Sequence, residues 1–263
     1  MVGSHSSQIT RTQLRNCELR VLLPGYYSGT ASLAGRDFST PVTLANIVLH
    51  RIGGSASPSV SAIDLQAPAE ARKEFEKGRD DYFKKKYDDA DKHLAKAISL
   101  YPNYASALDL RGREQRVRHM DEDAEKSFRD AIAADEKFVA PYLHLAALLA
   151  TRAKWPDVAA MSDKAIELDA NGYTEPYYFK AVACLMTKQM TEAKLAIGKV
   201  LLIDKDHRFP RAELMLGNIL RSEGNDPEAA EHLRNYLKLE PNGPDAPKIQ
   251  EYLAQIDQGK PQP

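Results

Sequence analysis

A chain of 263 residues has room for one or two domains and a sizeable core. Its 36 Lys and Arg nearly balance 37 Asp and Glu, so neither a basic nucleic-acid arm nor an acidic tail is indicated. Two cysteines exclude a disulfide framework, and no apolar run approaches the roughly 20 residues of a membrane span.

In chain order, residues 1–16 come first; their opening "MVGSHSSQ" has no apolar core and does not read as a signal peptide. They are expected to be disordered or foreign to the fold. Residues 17–55 change character. Cys17, Leu19, Val21 and Leu23 alternate with polar residues, Pro24-Gly25 breaks the run, and Tyr27 and Leu33 resume it; Val42, Leu44, Ile47 and Leu49 come next. This period-two pattern predicts strands. Three or so strands leave apolar surface uncovered, so the segment is expected to be part of a β-sandwich whose opening strands lie elsewhere. Exposed strand edges of this kind can pair with a second copy, which predicts a homodimer through them. Residues 56–69 are a Gly/Ser/Pro-rich join, apolar enough from Val60 to lie against the first helices after it.

From residue 70 to 244 a faded motif returns. "AISLYPNYASAL" from Ala97 is echoed at Ala131, Ala165, Val200 and Tyr236. Small residues hold a second column at Ala90, Ala124, Val158, Ala193 and Ala229, and a third at Gly78, Gly112, Ala146, Ala181 and Gly217. The spacing predicts five helix pairs, over 71–104, 105–138, 139–172, 174–207 and 210–243. Small side chains let paired helices approach closely, and Leu94, Phe128, Tyr142, Leu145 and Leu233 fill the space between. Pro102 and Pro241 stop helices, while Pro156 and Pro227 fall in a first turn, where a missing donor costs nothing. Residues 245–257 place Ile249, Tyr252, Leu253 and Ile256 on one face and predict a capping helix; 258–263 are a tail.

The Gly/Ala, Ala, Ala signature with its closing Pro resembles the tetratricopeptide repeat. The fold this implies is mostly α: an α-α superhelix of about five units plus a C-terminal capping helix, preceded by a small β segment. Val158 and Ser162 in the third unit, and Val200 in the fourth, depart from the family pattern. "CELRVLLPGYYSGTASL" resembles the end of a carboxypeptidase regulatory-like, transthyretin-like sandwich. The combination looks like an arrangement of bacterial envelope proteins.

Catalytic signatures are missing: there is no H-E-x-x-H, paired C-x-x-C, or Gly-rich phosphate loop. The acids of "YDDAD" and "DED" fall where second helices start and suit the positive helix end. "DKDH" (Asp204, Asp206, His207) lacks the length and glycine of a calcium loop. No enzyme activity and no cofactor or metal are expected. His144 reads as a satisfied core or groove histidine, and Cys184 as packing.

The repeat resemblance implies that the first helices line a concave groove. Its register gives Arg72, Phe75, Arg79 and Tyr82; Asp109, Arg113 and Arg116; Leu143, Ala147 and Ala150; Tyr178, Val182 and Leu185; and Arg211, Leu214, Asn218 and Arg221. This order, basic then apolar then basic, predicts a protein or peptide partner with an apolar middle and acidic flanks. Glu114 and the neighbouring acids are expected to occupy some of these arginines. Family members that hold chaperone tails use a Lys/Asn clamp; Phe75, Arg79, Leu110 and His144 stand at those places, so that role is disfavoured. An alternative is an anchoring or regulatory module of a larger envelope system, its β segment touching carbohydrate or the cell surface.

Overall fold

A computed structural model of the chain describes residue 61 and residues 63–258, together with the backbone of four short strands ahead of them. The chain forms two compact units, residues 1–59 and 60–263. In the first, β1 (Glu18–Leu19) pairs antiparallel with β3 (Ala31–Ser32). Likewise β2 (Tyr26–Ser28) pairs with β4 (Leu49–Arg51), Tyr27 standing opposite His50. The other expectations for this segment, the transthyretin-like sandwich and its edge-to-edge dimer among them, lie outside the described residues.

The second unit is five antiparallel helix pairs and a closing helix. The pairs are α1 (Ala69–Phe83) with α2 (Tyr87–Leu100), α3 (Ala105–Val117) with α4 (Asp121–Ala134), α5 (Val139–Thr151) with α6 (Trp155–Leu168), α7 (Glu175–Met186) with α8 (Met190–Ile203), and α9 (Arg211–Ser222) with α10 (Asp226–Leu239). Helix α11 (Ala246–Asp257) closes the array. No described helix is long and apolar enough to cross a membrane.

Each pair turns in the same way. One residue after the first helix enters the left-handed region: Lys85 (φ 60°), His119 (60°), Ala153 (53°), Lys188 (62°) and Gly224 (77°). The next amide reaches back to the helix, as Lys86 N does to Asp81 O at 2.9 Å and Gln189 N to Cys184 O at 2.8 Å. This crossed pair of bonds satisfies the last carbonyls of the helix. Acids then occupy the first turn of the second helix: Asp88 and Asp89, Asp121 to Asp123, Asp157, Glu192, Asp226 and Glu228. There they answer the helix dipole, since no side chain caps these ends.

The small-residue columns are where the helices meet. A Cβ added at Gly78 would lie 2.8 Å from Leu94 Cγ, at Gly112 2.6 Å from the Phe128 ring, and at Gly217 2.7 Å from Leu233 Cγ. Ala90, Ala97, Ala124, Ala131, Val158, Ala165, Ala193, Val200, Ala229 and Tyr236 are fully buried. The third unit's departure has a local account. Ser162, at the place of Phe128, is buried and turns its hydroxyl to Val158 O at 2.8 Å. Ala146, which stands in this unit where Gly78, Gly112 and Gly217 stand in others, is also fully buried.

Three of the four connections between pairs close on a buried aspartate. Asp135 accepts Lys137 N at 3.0 Å, Asp169 accepts Gly172 N at 2.9 Å, and Asp204 accepts Phe209 N at 2.7 Å. Asp204 therefore shapes a turn. The residues just before α1 lie against the first two pairs, through buried Ala67 and through polar groups. Ser61 donates to Asp135 Oδ2 at 2.5 Å, Tyr101 donates to Ile63 O at 3.3 Å, and Asp64 Oδ1 accepts Ser106 N at 3.4 Å. Asp64 thus caps α3 from a distance. Leu65 of this stretch points away into solvent.

Candidate functional site

Alternate helices reveal which layer is inner. Helix α1 packs on α3, α3 on α5 and α5 on α7, while no two second helices pack as closely. The first helices crowd the shorter radius and present a common face. At about 100° per residue, Arg72, Phe75, Arg79 and Tyr82 share one side of α1, turned roughly a quarter circle from the Gly78 contact.

At the N-terminal end this face is aromatic and basic. Phe75 packs on Tyr104 with ring centroids 5.0 Å apart, and Tyr82 lies 6.0 Å from Tyr87. Arg113 crosses from α3 to lay its guanidinium 5.2 Å above the Tyr82 ring. Burial pushes the Tyr104 hydroxyl up to about 12, so it stays a neutral donor. Arg79 meets only its neighbour Asp80, at 3.8 Å, and both are exposed.

The ion-pair pattern separates this face from the rest of the surface. Arg118 pairs with Glu114 and Asp88, Arg111 with Asp91, and Arg152 with Glu125. Glu114 is thus taken by Arg118, not by Arg113 or Arg116. Among the described residues the arginines with no carboxylate partner are Arg72, Arg113, Arg116 and Arg221, and all four belong to the expected groove.

Several expected positions have little surface to offer. Asp109 is 4% exposed and accepts a 2.6 Å hydrogen bond from His144 Nδ1, which joins α3 to α5. Leu143 is 8% exposed, and Leu214 is buried against α10 and α11. Helix periodicity alone could not separate these from their exposed neighbours, because the side of a residue depends on the tilt between successive units. Ala147, Ala150, Val182 and Leu185 are half-buried and make an apolar middle. Tyr178 stacks on Phe209 at 4.7 Å, which brings an inter-unit loop residue onto the face.

The C-terminal end is completed by α11. Arg211 pairs with Asp245 at 3.3 Å, Asn218 is exposed, and Arg221 lies 5.1 Å over the Tyr252 ring. Tyr252 in turn donates to Asp226 at 2.8 Å. Sequence reasoning gave α11 only a covering role and missed Tyr252 and Asp245 as neighbours of the groove. Their spacing in a lone helix carries no such signal. Cys184 is buried and burial pushes its thiol up, as befits packing.

No protein-family model matches the sequence, and no curated protein matches it. Solved structures do. MamA shares 20% identity over 65% of this chain and 92% of its own, with a TM-score of 0.57. YrrB, described as a TPR protein with an unusual peptide-binding site, gives 19% identity, coverage of 68% and 90%, and a TM-score of 0.58. PilF of Pseudomonas aeruginosa gives 14% identity, coverage of 73% and 89%, and a TM-score of 0.59. At these identities the likeness speaks for architecture alone. The helical unit has the tetratricopeptide-repeat fold: five helix pairs in a superhelix, closed by a capping helix.

Proposed function

We propose that this chain is a non-enzymatic interaction module that holds a peptide, extended or helical, along the inner face of its repeats. The ligand carries acidic groups toward its ends and an apolar middle. The single observation that supports this is the set of inner-face arginines without carboxylate partners among the described residues, two of them held over tyrosine rings. An arginine so held is pre-organised to bind a carboxylate bidentately, and loses less side-chain freedom on binding. A peptide-sized ligand also suits the length of the face, as the peptide-binding description of YrrB suggests for that protein.

The test is a labelled peptide series with two glutamates on either side of a Leu/Ala core, read by fluorescence anisotropy. The Arg79→Glu/Arg113→Glu/Arg116→Glu variant should bind roughly tenfold more weakly or worse, and the native affinity should fall with salt. Equal binding by chain and variant would move the search to the convex face.

A second reading makes the chain an anchoring or regulatory part of a larger bacterial envelope system. It draws on the separate compact unit of residues 1–59 and on the resemblance of the stretch "CELRVLLPGYYSGTASL" to the end of a carboxypeptidase regulatory-like sandwich. Retention on polysaccharide or cell-wall resin by the native chain, undisturbed by the arginine changes, would favour it.

A further inference from the structure

Among the described second helices, α8 carries the two most exposed leucines on its outer face. On α8, Leu195 and Leu202 are 69% and 60% exposed, with Gly198 between them and Thr191 completing the stripe. Where Leu195 stands, other units carry Lys92, Lys126, Ala160 or Glu231; where Leu202 stands, they carry Ser99, Ala133, Glu167 or Lys238, none of them a large apolar residue. A Cβ added at Gly198 would meet nothing within 4 Å, so its own fold does not require the glycine. Glycine in the middle of an exposed helix costs about 1 kcal/mol relative to alanine. Here the missing side chain opens a notch between two leucines.

We infer that this stripe is a self-association surface, in which α8 of one copy packs antiparallel on α8 of a second copy about a two-fold axis. Charge identifies the occupant. Glu192 and Lys199 lie on the same flank of the stripe, seven residues apart, both exposed and neither in an ion pair among the described residues. Under an antiparallel two-fold, residues on one flank face residues of that same flank in the partner, in reverse order. Glu192 of each copy then meets Lys199 of the other, twice by symmetry, whereas a parallel two-fold sets opposite flanks together and leaves this pair unmade. In that register Leu195 packs on Leu195 of the partner, and Gly198 receives the ridge between Thr191 and Leu195. The contact closes on itself, so it makes dimers and not fibres.

One helix pair buries less than a standard interface, so association should be weak and visible on the order of 100 μM chain. Sedimentation equilibrium of the full chain tests it. Leu195→Lys should raise the dimer dissociation constant by about tenfold or more. Glu192→Lys should weaken the dimer several-fold, and adding Lys199→Glu should restore it to within about twofold, since the swap preserves every pairing. Gly198→Leu separates folding from association: it should raise the melting temperature of the monomer and still weaken the dimer, by filling the notch. A chain that stays monomeric at several hundred micromolar overturns the inference, as burial of the stripe by residues 1–59 would. So does a dimer indifferent to Leu195→Lys, which would place the contact elsewhere, the strand edges included.

Discussion

Asp64 holds its carboxyl in a poor place for a charge. Burial, with the Asp135 carboxylate close by, raises it from 3.8 to about 6, although Ser106 N–H pulls the other way. Its Oδ2 is buried without a partner. Because the folded state binds the proton more tightly than the unfolded one, docking of residues 61–67 weakens as pH climbs from about 4 to 6. Above that the penalty is constant, of order 3 kcal/mol at most. Asp64→Asn keeps the acceptor for Ser106 and removes the charge. Hydrogen exchange over residues 61–67 and 104–108 should then slow at pH 7.5, by about 1–3 kcal/mol of opening free energy, and lose its dependence on pH. A variant that keeps the native pH profile would mean the carboxyl is solvated. Glu74 shows the opposite case: hydrogen bonds from His93, Lys77 and Lys96 hold it down at about 2, so its contribution survives until strong acid. The matching pair Glu213 and His232 occupies the same place in the last unit, at 2.6 Å.

At the scale of the helix pair, the turn is the least legible part of the sequence. Five turns adopt one left-handed residue each, yet glycine stands at only one of them. Lys85, His119, Ala153 and Lys188 carry no signature, because the two crossed hydrogen bonds and the packing of both helices impose the conformation. A Cβ in that region costs about 1 kcal/mol relative to glycine. Ala153→Gly should therefore stabilise the third unit by up to ~1 kcal/mol, moving the urea midpoint upward with an unchanged slope. Gly224→Ala should lower it by a similar amount. The columns of small residues were legible, since a Cβ at Gly112 has nowhere to go beside Phe128. The inter-unit aspartates were less so: Asp204 looks like part of a ligand cluster in sequence, and its two backbone bonds exist only once the turn has closed.

At the scale of the whole array, each unit stands on its neighbours, so the end matters. Ile249, Tyr252 and Leu253 of α11 bury Leu233 and Tyr236, which a further repeat would otherwise cover. Ile249→Asp should release α11 and fray α9 and α10, costing about 2–4 kcal/mol locally. Hydrogen exchange should show protection lost there and kept in α1 to α6; a loss spread evenly over all units would contradict nearest-neighbour stability. The sequence by itself determined the number of units, the helices in each and the columns where they touch, because a repeated steric requirement leaves a repeated residue. Tertiary structure alone decided which inner-face positions keep free surface. Asp109 and Leu143 fit the groove register, yet His144 of α5 takes the first and the cluster around Ala165 and Tyr173 buries the second, while Arg72, Arg113, Arg116 and Arg221 have no carboxylate partner among the described residues. Which carboxylate reaches which arginine depends on the angle between units. That angle is set by the sum of many packing contacts, and no single residue records it.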